Sequence, residues 1–474
     1  MRLKWKSLFL GMLFFSTINA FPSGELEKRE LLENVDLIAR SAIQEGTSNS
    51  TKSGIDKIFD LFSSGKVSLG LLEISKIEKS IKNMVNSVVP TDKLHSKEEV
   101  KSFIESIFSN TNGTLIDNVI QMLTHSISYD SIQAIHEFSD ENTRTNYSNA
   151  RKPEVAVYPK ANSKDAPYSV SEKVLRGAIG IPSDFEYGSG TKNPVILVPG
   201  TASMGGLVYA SNYAKLLKNT NYADIVWLNV PNYLLDDCQS NSEFVAYAIN
   251  YISGITNKNV SIISWSQGGA ILQWALKYWP STNSKVDNFI PFAPDFQGTD
   301  MAYLGCPAFG YNFACTPSVK QQVSNSTFMR TLRNNDGLSA YVPTTTIYSG
   351  FDDLVSNEFG TNASSYLHDM RGVGVSNNRV QSLCPHKPAG SFYLHEGNLY
   401  NPVGYALVVD ALTHNGPGNA SRIDLNTECD KIVPDGMSLV DVLATEALIP
   451  DCLRHILEYQ PKTINEPPIK AYAQ

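Results

Sequence analysis

Charge is scarce in this chain of 474 residues. Asp, Glu, Lys and Arg make up 18% of it, against roughly 25% in an average globular protein, while 42% of the residues are hydrophobic. Such a composition buries a core and excludes a long disordered or fibrous chain. A basic excess is also missing: 39 Lys and Arg face 47 Asp and Glu, a net charge of −8. A phosphate-binding face needs the opposite balance, which argues against a nucleic-acid binder. No apolar run reaches the ~18 residues of a membrane-spanning helix, and mean hydropathy is −0.18, so a polytopic membrane protein is excluded. The six cysteines (Cys238, Cys306, Cys315, Cys384, Cys429, Cys452) include no C-x-x-C pair, so a zinc signature is absent.

What is present begins with an address. Arg2, Lys4 and Lys6 precede an apolar stretch from Leu8 to Phe15, and Asn19-Ala20 offers a cleavage point. Residues 1–20 therefore read as a secretory signal peptide. Lys28-Arg29 is a dibasic pair suited to a second cut. N-x-Ser/Thr sequons follow at Asn49, Asn112, Asn146, Asn259, Asn325, Asn362 and Asn419. Behind a signal they predict a secreted, extracellular glycoprotein. The segment from Asn465 to Gln474 has no hydrophobic tail, which argues against a lipid anchor. An even cysteine count in a secreted chain predicts disulfides, with the pairing left open.

Residues 21–150 have helical texture. Leu31, Leu32, Val35, Ile38 and Ala39 recur at helical spacing, as do Ile55, Ile58, Phe59 and Phe62, then Val100, Phe103, Ile104 and Ile107. Ser96 ahead of Glu98 and Glu99 marks a helix start. This region suits a pro-region or a cap. Residues 138–170, with Pro153, Pro159 and Pro167, read as a linker. The texture then changes. Short apolar runs at Val195–Val198, Ile225–Leu228, Val260–Ser264, Phe289–Ala293 and Thr344–Tyr348 alternate with helical stretches such as Ser242–Ile252 and Ala270–Trp279. Apolar strands without alternation are buried on both faces, which predicts an α/β domain over 151–474 with a mostly parallel sheet.

The third run leads into Ser264-Trp265-Ser266-Gln267-Gly268-Gly269. A serine at a tight strand-to-helix turn projects its hydroxyl from the sheet, and the helix N-terminus favours developing negative charge. The usual pattern is G-x-S-x-G; Ser264 replaces its first glycine. An acyl-transfer serine needs oxyanion donors, and Pro199-Gly200-Thr201-Ala202 after the first strand and the N–H of Gln267 are suitably placed. The acid and histidine should follow in that order. Asp295, Asp352 and Asp353 stand just past strands, and His368, His386, His395, His414 and His455 follow Ser266. Order and spacing leave these choices open.

From about Tyr168 to residue 473 the chain resembles the lipase B family of fungi, secreted serine lipases of the α/β-hydrolase type. The resemblance rests on Leu197-Val198-Pro199-Gly200-Thr201, Trp265-Ser266-Gln267-Gly268-Gly269, Phe292-Ala293-Pro294-Asp295-Phe296-Gln297-Gly298-Thr299, Leu332-Arg333-Asn334 through Tyr348-Ser349, Ser365-Tyr366-Leu367 and the Cys384 region. It implies Ser266 as nucleophile, Asp352 as acid and His395 as base, although Leu394-His395-Glu396-Gly397-Asn398 departs from the family's Asp-His-Ala-Gly-Ser. It puts the oxyanion donors on Thr201 and Gln267, a polar pair near the pocket on Asp295 and Gln322, and Trp265 at a narrow alcohol-side pocket. It implies a Cys384–Cys429 disulfide and no metal or cofactor. Ala202 replaces the family's glycine after Thr201. Cys306 and Cys315 are spaced for a local bridge, leaving Cys238 and Cys452 to pair. Met301, Tyr303, Leu304, Phe309, Tyr311 and Phe313 form an aromatic rim suited to lipid contact. The implied activity is hydrolysis of fatty-acyl esters such as triacylglycerols, at a lipid–water interface. Rival readings are an acyltransferase, polyesterase or amidase on the same triad, and an inactive lipid-binding glycoprotein.

Overall fold

The apolar runs become strands of one sheet in the computed structural model, which describes residues 25–63, 70–109, 115–128, 140–299 and 314–474. The strands are β1 (Ile179–Gly180), β2 (Asn193–Val198), β3 (Ala223–Leu228), β4 (Val260–Trp265), β5 (Val286–Phe292), β6 (Thr344–Tyr348) and β7 (Val375–Arg379). Their order is β1-β3-β2-β4-β5-β6-β7. All neighbours run parallel except β1, which is antiparallel to β3. Every residue of β3, β4 and β6 is buried, which is why β3 and β4 read as largely apolar runs rather than alternating ones, while β6 buries three threonines beside Ile347 and Tyr348. The two edge strands escape such a reading: β1 has two residues and β7 is Val-Ser-Asn-Asn-Arg, mostly half-buried. Between β2 and β4 the sheet reverses its direction of growth. The loops leaving the carboxyl ends of these strands diverge there, and that crevice is where ligands bind in such sheets.

The helical texture of the first part of the chain is realised as α1 (Glu25–Glu45), α2 (Ser48–Ser63), α3 (Leu71–Asn86), α4 (Lys97–Ser109) and α5 (Leu115–Thr124). On α1 the buried stripe is Leu31, Val35, Ala39 and Ala42, and α1 packs against α2 and α3. On α4 it is Val100, Phe103, Ile104 and Ile107. Ser96 caps α4: its hydroxyl accepts the Glu99 N–H at 3.1 Å, and the Glu99 carboxylate accepts the His95 N–H at 2.7 Å. The chain divides into two compact units at Val89/Pro90. That boundary falls inside the 21–150 region rather than at its end. The reason is packing: the stripe of α4 joins a core cluster with Met204, Tyr393, Leu394 and Val442 of the sheet-bearing unit. The expected linker 138–170 is likewise no free tether where it is described. Val157, Ala166 and Tyr168 are buried in the main core of that unit.

Further helices matter for the site: α6 (Cys238–Thr256), α7 (Gln267–Tyr278), α8 (Pro402–Thr413), α9 (Leu439–Glu446) and α10 (Leu448–Glu458). Among the described residues no helix is long and apolar enough to cross a membrane. The expected signal peptide 1–20, Asn112, Cys306 and the aromatic rim from Met301 to Phe313 lie outside the described residues. The other six sequon asparagines (Asn49, Asn146, Asn259, Asn325, Asn362 and Asn419) are all exposed.

Cys384 and Cys429 form a disulfide with a Cα–Cα distance of 5.3 Å. Cys315 is also disulfide-bonded. The expected Cys238–Cys452 pair does not form, and both thiols are free and buried. Cys238 opens α6 within the main core, whereas Cys452 sits on α10 in a separate cluster with Ala202, Leu235, Val319 and Ile456. The Cys384–Cys429 bond closes a sequence separation of 45 residues. Replacing both cysteines by serine should cost roughly 3–4 kcal/mol of unfolding free energy, read from denaturant titration.

Candidate active site

The site grows from the end of β4. Ser266 follows Trp265 with φ 55° and ψ −129°, and α7 begins at the next residue. A positive φ at a serine is uphill by about 1–3 kcal/mol and persists only where surrounding packing enforces it. Two glycines allow that packing. A Cβ on Gly268 would lie 2.6 Å from the Pro199 carbonyl, and one on Gly200 would lie 2.8 Å from Ser266 Cβ. Ser264, in place of the pattern's first glycine, fits fully buried within β4.

His395 stands at the start of a 3-10 turn (Glu396–Tyr400), and its Nδ1 lies 2.8 Å from Asp352 Oδ2 with both side chains buried. The other oxygen, Oδ1, accepts the N–H groups of Leu354 at 2.9 Å and Val355 at 2.7 Å, so the carboxylate is fixed on both sides. Burial by itself disfavours the imidazolium, but the charge of Asp352 and its hydrogen bond to Nδ1 outweigh it, and the His395 pKa is raised above 6.5. The Trp265 ring packs on the imidazole at 5.0 Å, and its Nε1–H donates to the His395 carbonyl at 3.2 Å. Asp353 accepts the His395 N–H at 3.3 Å, and burial followed by the Asp352 charge pushes its pKa up.

Thr201, just past β2, lies opposite the turn. Its hydroxyl donates to Gln322 Oε1 at 2.8 Å and accepts from Gln267 Nε2 at 3.1 Å. Asn241 on α6 donates to Gln267 Oε1 at 3.3 Å, and Gln322 donates to the Ser318 carbonyl at 3.1 Å. Gln267 opens α7, so its backbone N–H has no partner within the helix and faces the position where negative charge is favoured.

Thr201, Trp265, Ser266, Thr299, Gln322 and His395 line one cavity of about 640 Å³, counted with its open mouth. The remaining wall is apolar: Leu115 of α5, Val319, Leu354 and Val355, then Ile449, Cys452, Leu453 and Ile456 of α10. Asp295 is buried but does not line the cavity, and neither of its carboxyl oxygens has a hydrogen-bond partner among the described residues. Burial pushes its pKa up to about 8. A second acid cluster adjoins the site. Burial raises the pKa of Glu396 well above the usual carboxylate range, as does its partner Glu446. Burial also raises Glu446, which the Tyr400 hydroxyl contacts.

Of the histidines that sequence order left open, only His395 lines this cavity among the described residues. His368 and His386 are exposed. His414 is half-exposed, with Nδ1 at 3.2 Å from Asp410 Oδ1. Asp353, which sequence order offered as a candidate acid, instead accepts the His395 N–H. Sequence reasoning missed Asn241 and the α10 wall. No local pattern marks them, because their role comes from contacts between distant segments.

No family model matches the chain. Lipase B of Pseudozyma antarctica is 31% identical over 320 residues, which is 66% of this chain and 88% of that protein. The crystal structure of Aspergillus fumigatus lipase B superposes with a TM-score of 0.78 at 42% identity, covering 94% of this chain and 100% of that one.

Proposed function

Because the chain belongs to the lipase B family and is a serine ester hydrolase, we propose that it cleaves fatty-acyl esters through Ser266, His395 and Asp352. The observation that carries this reading is that Ser266, on its strained turn, shares an apolar cavity with a histidine tied to a buried aspartate.

Ser266 Oγ attacks the ester carbonyl carbon while His395 Nε2 takes the hydroxyl proton. Asp352 keeps the Nδ1–H tautomer and stabilises the imidazolium. The negative oxygen is met by the N–H of Gln267 and by the N–H and hydroxyl of Thr201, the latter turning from Gln322 to donate. The C–O bond to the alcohol breaks, and His395 returns the proton to that oxygen. Water then repeats the sequence on the acyl-enzyme, releasing the fatty acid and restoring Ser266. The apolar walls favour a fatty acyl chain, since each buried CH₂ is worth about 0.8 kcal/mol. Leu115 adds a wall from the N-terminal helical region, so α4 and α5 act as a cap, while α1–α3 remain a candidate pro-region. Secretion and glycosylation belong to the same reading, supported by the residue pattern at 1–20 and by the exposed sequons.

Hydrolysis of chromogenic esters of increasing acyl length tests this function, together with labelling by a serine-directed phosphonate. We expect labelling and a rate that rises with chain length. A purified protein inert towards every ester and towards the phosphonate sinks the proposal. Thr201→Val keeps the N–H and removes the hydroxyl; its kcat should fall about 10²-fold or more with little change in KM.

A further inference from the structure

We propose that His455 is a positioning residue for the oxyanion loop, holding the Ala202 carbonyl so that Thr201 presents its donors to the tetrahedral oxygen. This inference rests on the Thr201 and Gln267 reading above. It concerns the last of the five histidines after Ser266, which the triad leaves without a task.

The loop needs holding. Ala202 follows Thr201 directly, is fully buried and has φ 61°. In this conformation Cβ crowds the backbone, and an alanine left to itself returns to negative φ. That return rotates the peptide joining Thr201 to Ala202 and turns Thr201 away from Ser266. A glycine at this position meets no such crowding.

His455 supplies the restraint from α10. Its Nδ1 lies 2.8 Å from the Ala202 carbonyl oxygen. Its Nε2 lies 3.0 Å from Arg454 Nη2. A guanidinium only donates, so Nε2 must be bare and Nδ1 must carry the proton. The tautomer that grips the loop is therefore selected by the neighbouring arginine. Arg454 is itself held, its Nε donating to Asp451 Oδ1 at 3.0 Å. The Tyr233 ring stacks on the face of the imidazole at 3.7 Å and 20°. The histidine is buried, and burial lowers its pKa against the pull of Asp451, which keeps the ring neutral. Tyr233 sets the ring plane, Arg454 the tautomer and burial the charge state. The helix that carries His455 also contributes Ile449, Cys452, Leu453 and Ile456 to the cavity wall, so one element both shapes the pocket and anchors its electrostatic end.

Three variants of the full chain test the idea. His455→Phe keeps a ring against Tyr233 and loses the donor. His455→Asn puts an amide N–H near the place of Nδ1, and His455→Gln puts it near Nε2, facing Arg454. We expect Phe and Gln to lower kcat about 10–100-fold with KM within about threefold of wild type, and Asn to recover most of that loss. Should the Phe variant fail to fold, the Asn–Gln contrast carries the same test. Equal kcat in Asn and Gln, or a change in KM alone, overturns the positioning role. Phosphonate labelling separates this from the function itself. A labelled wild type with indifferent His455 variants overturns only the anchor. An unlabelled wild type overturns the Ser266 reading and the anchor with it.

Discussion

Ser266→Ala lowers kcat for ester hydrolysis by about 10⁴–10⁶-fold while the protein stays folded. The chemical part follows from the proposed route, since a methyl group neither attacks the carbonyl nor holds an acyl group. What remains is catalysis by the oxyanion donors and the cavity. The structural part follows from the turn. Ser266 makes no side-chain capping bond to α7, so removing its hydroxyl leaves the backbone contacts untouched. His395→Ala should match Ser266→Ala, and the double variant should be no worse than either single one, because the two residues act as a unit. His414→Ala should stay within about twofold of wild type: it is half-exposed beside Asp410 and lines a separate surface groove with Tyr405 and Arg422. Initial-rate assays on the four proteins, with circular dichroism as a folding control, decide the matter. More than about 1% residual activity in Ser266→Ala defeats the serine mechanism.

The second large effect is on stability. Several buried carboxyls hold their protons in the folded state: Asp295, raised to about 8, and Glu358 and Glu396, raised well above the usual range, each chiefly by burial. Asp353 and Glu446 are raised in the same way. A carboxyl whose folded pKa exceeds its unfolded value contributes stability that is fully present below the unfolded pKa. That contribution is lost as pH rises towards the folded pKa, because the native state then binds more protons than the unfolded one. The raised His395 acts in the same direction. Asp410 opposes it: burial raises its pKa, but Arg422 and the Asn419 N–H outweigh burial and lower it, so its contribution is lost only towards acid pH. The melting temperature should therefore be highest at mildly acidic pH and fall by on the order of 5–10 °C between pH 5 and pH 8. Glu396→Gln removes one proton-holding group and gives Glu446 an amide donor. It should raise the melting temperature at pH 8 and leave it nearly unchanged at pH 5. A flat or rising profile from pH 5 to pH 8 contradicts the account, and calorimetry at a series of pH values reads it directly.

Much of the architecture was legible before any coordinates. Strands β2 to β5 appear as largely apolar runs because all their residues but Asn193 and Asp287 are buried, and a buried strand tolerates few polar residues. The Ser266 turn is legible for a different reason. A strand that must pass into a helix within one residue, close to Pro199, needs glycine on both sides of the contact, and Gly200 and Gly268 declare it. The helices of the N-terminal region follow from their 3.6-residue stripes. The partner of α4 does not, since a stripe states that a face is buried but not against what. Residues 138–170 read as a tether because irregular backbone and prolines carry no periodicity, yet Tyr168 and Val157 complete the main core.

By itself, the sequence determined the α/β class, the serine at the third apolar run, the loop offering Thr201 and, through a family resemblance, the choice of Asp352, His395 and the Cys384–Cys429 bond. These rest on local patterns: runs, turns and short blocks whose meaning is contained in neighbouring residues. Only the tertiary structure shows His395 Nδ1 at 2.8 Å from Asp352 across 43 residues of chain, while His414 lies beside Asp410. Only there do Cys238 and Cys452 remain apart, α10 close the pocket and His455 reach Ala202 across 253 residues. A hydrogen bond or a van der Waals contact depends on separation in space to within a few tenths of an ångström. Sequence separation of this size carries no trace of it until the core has packed.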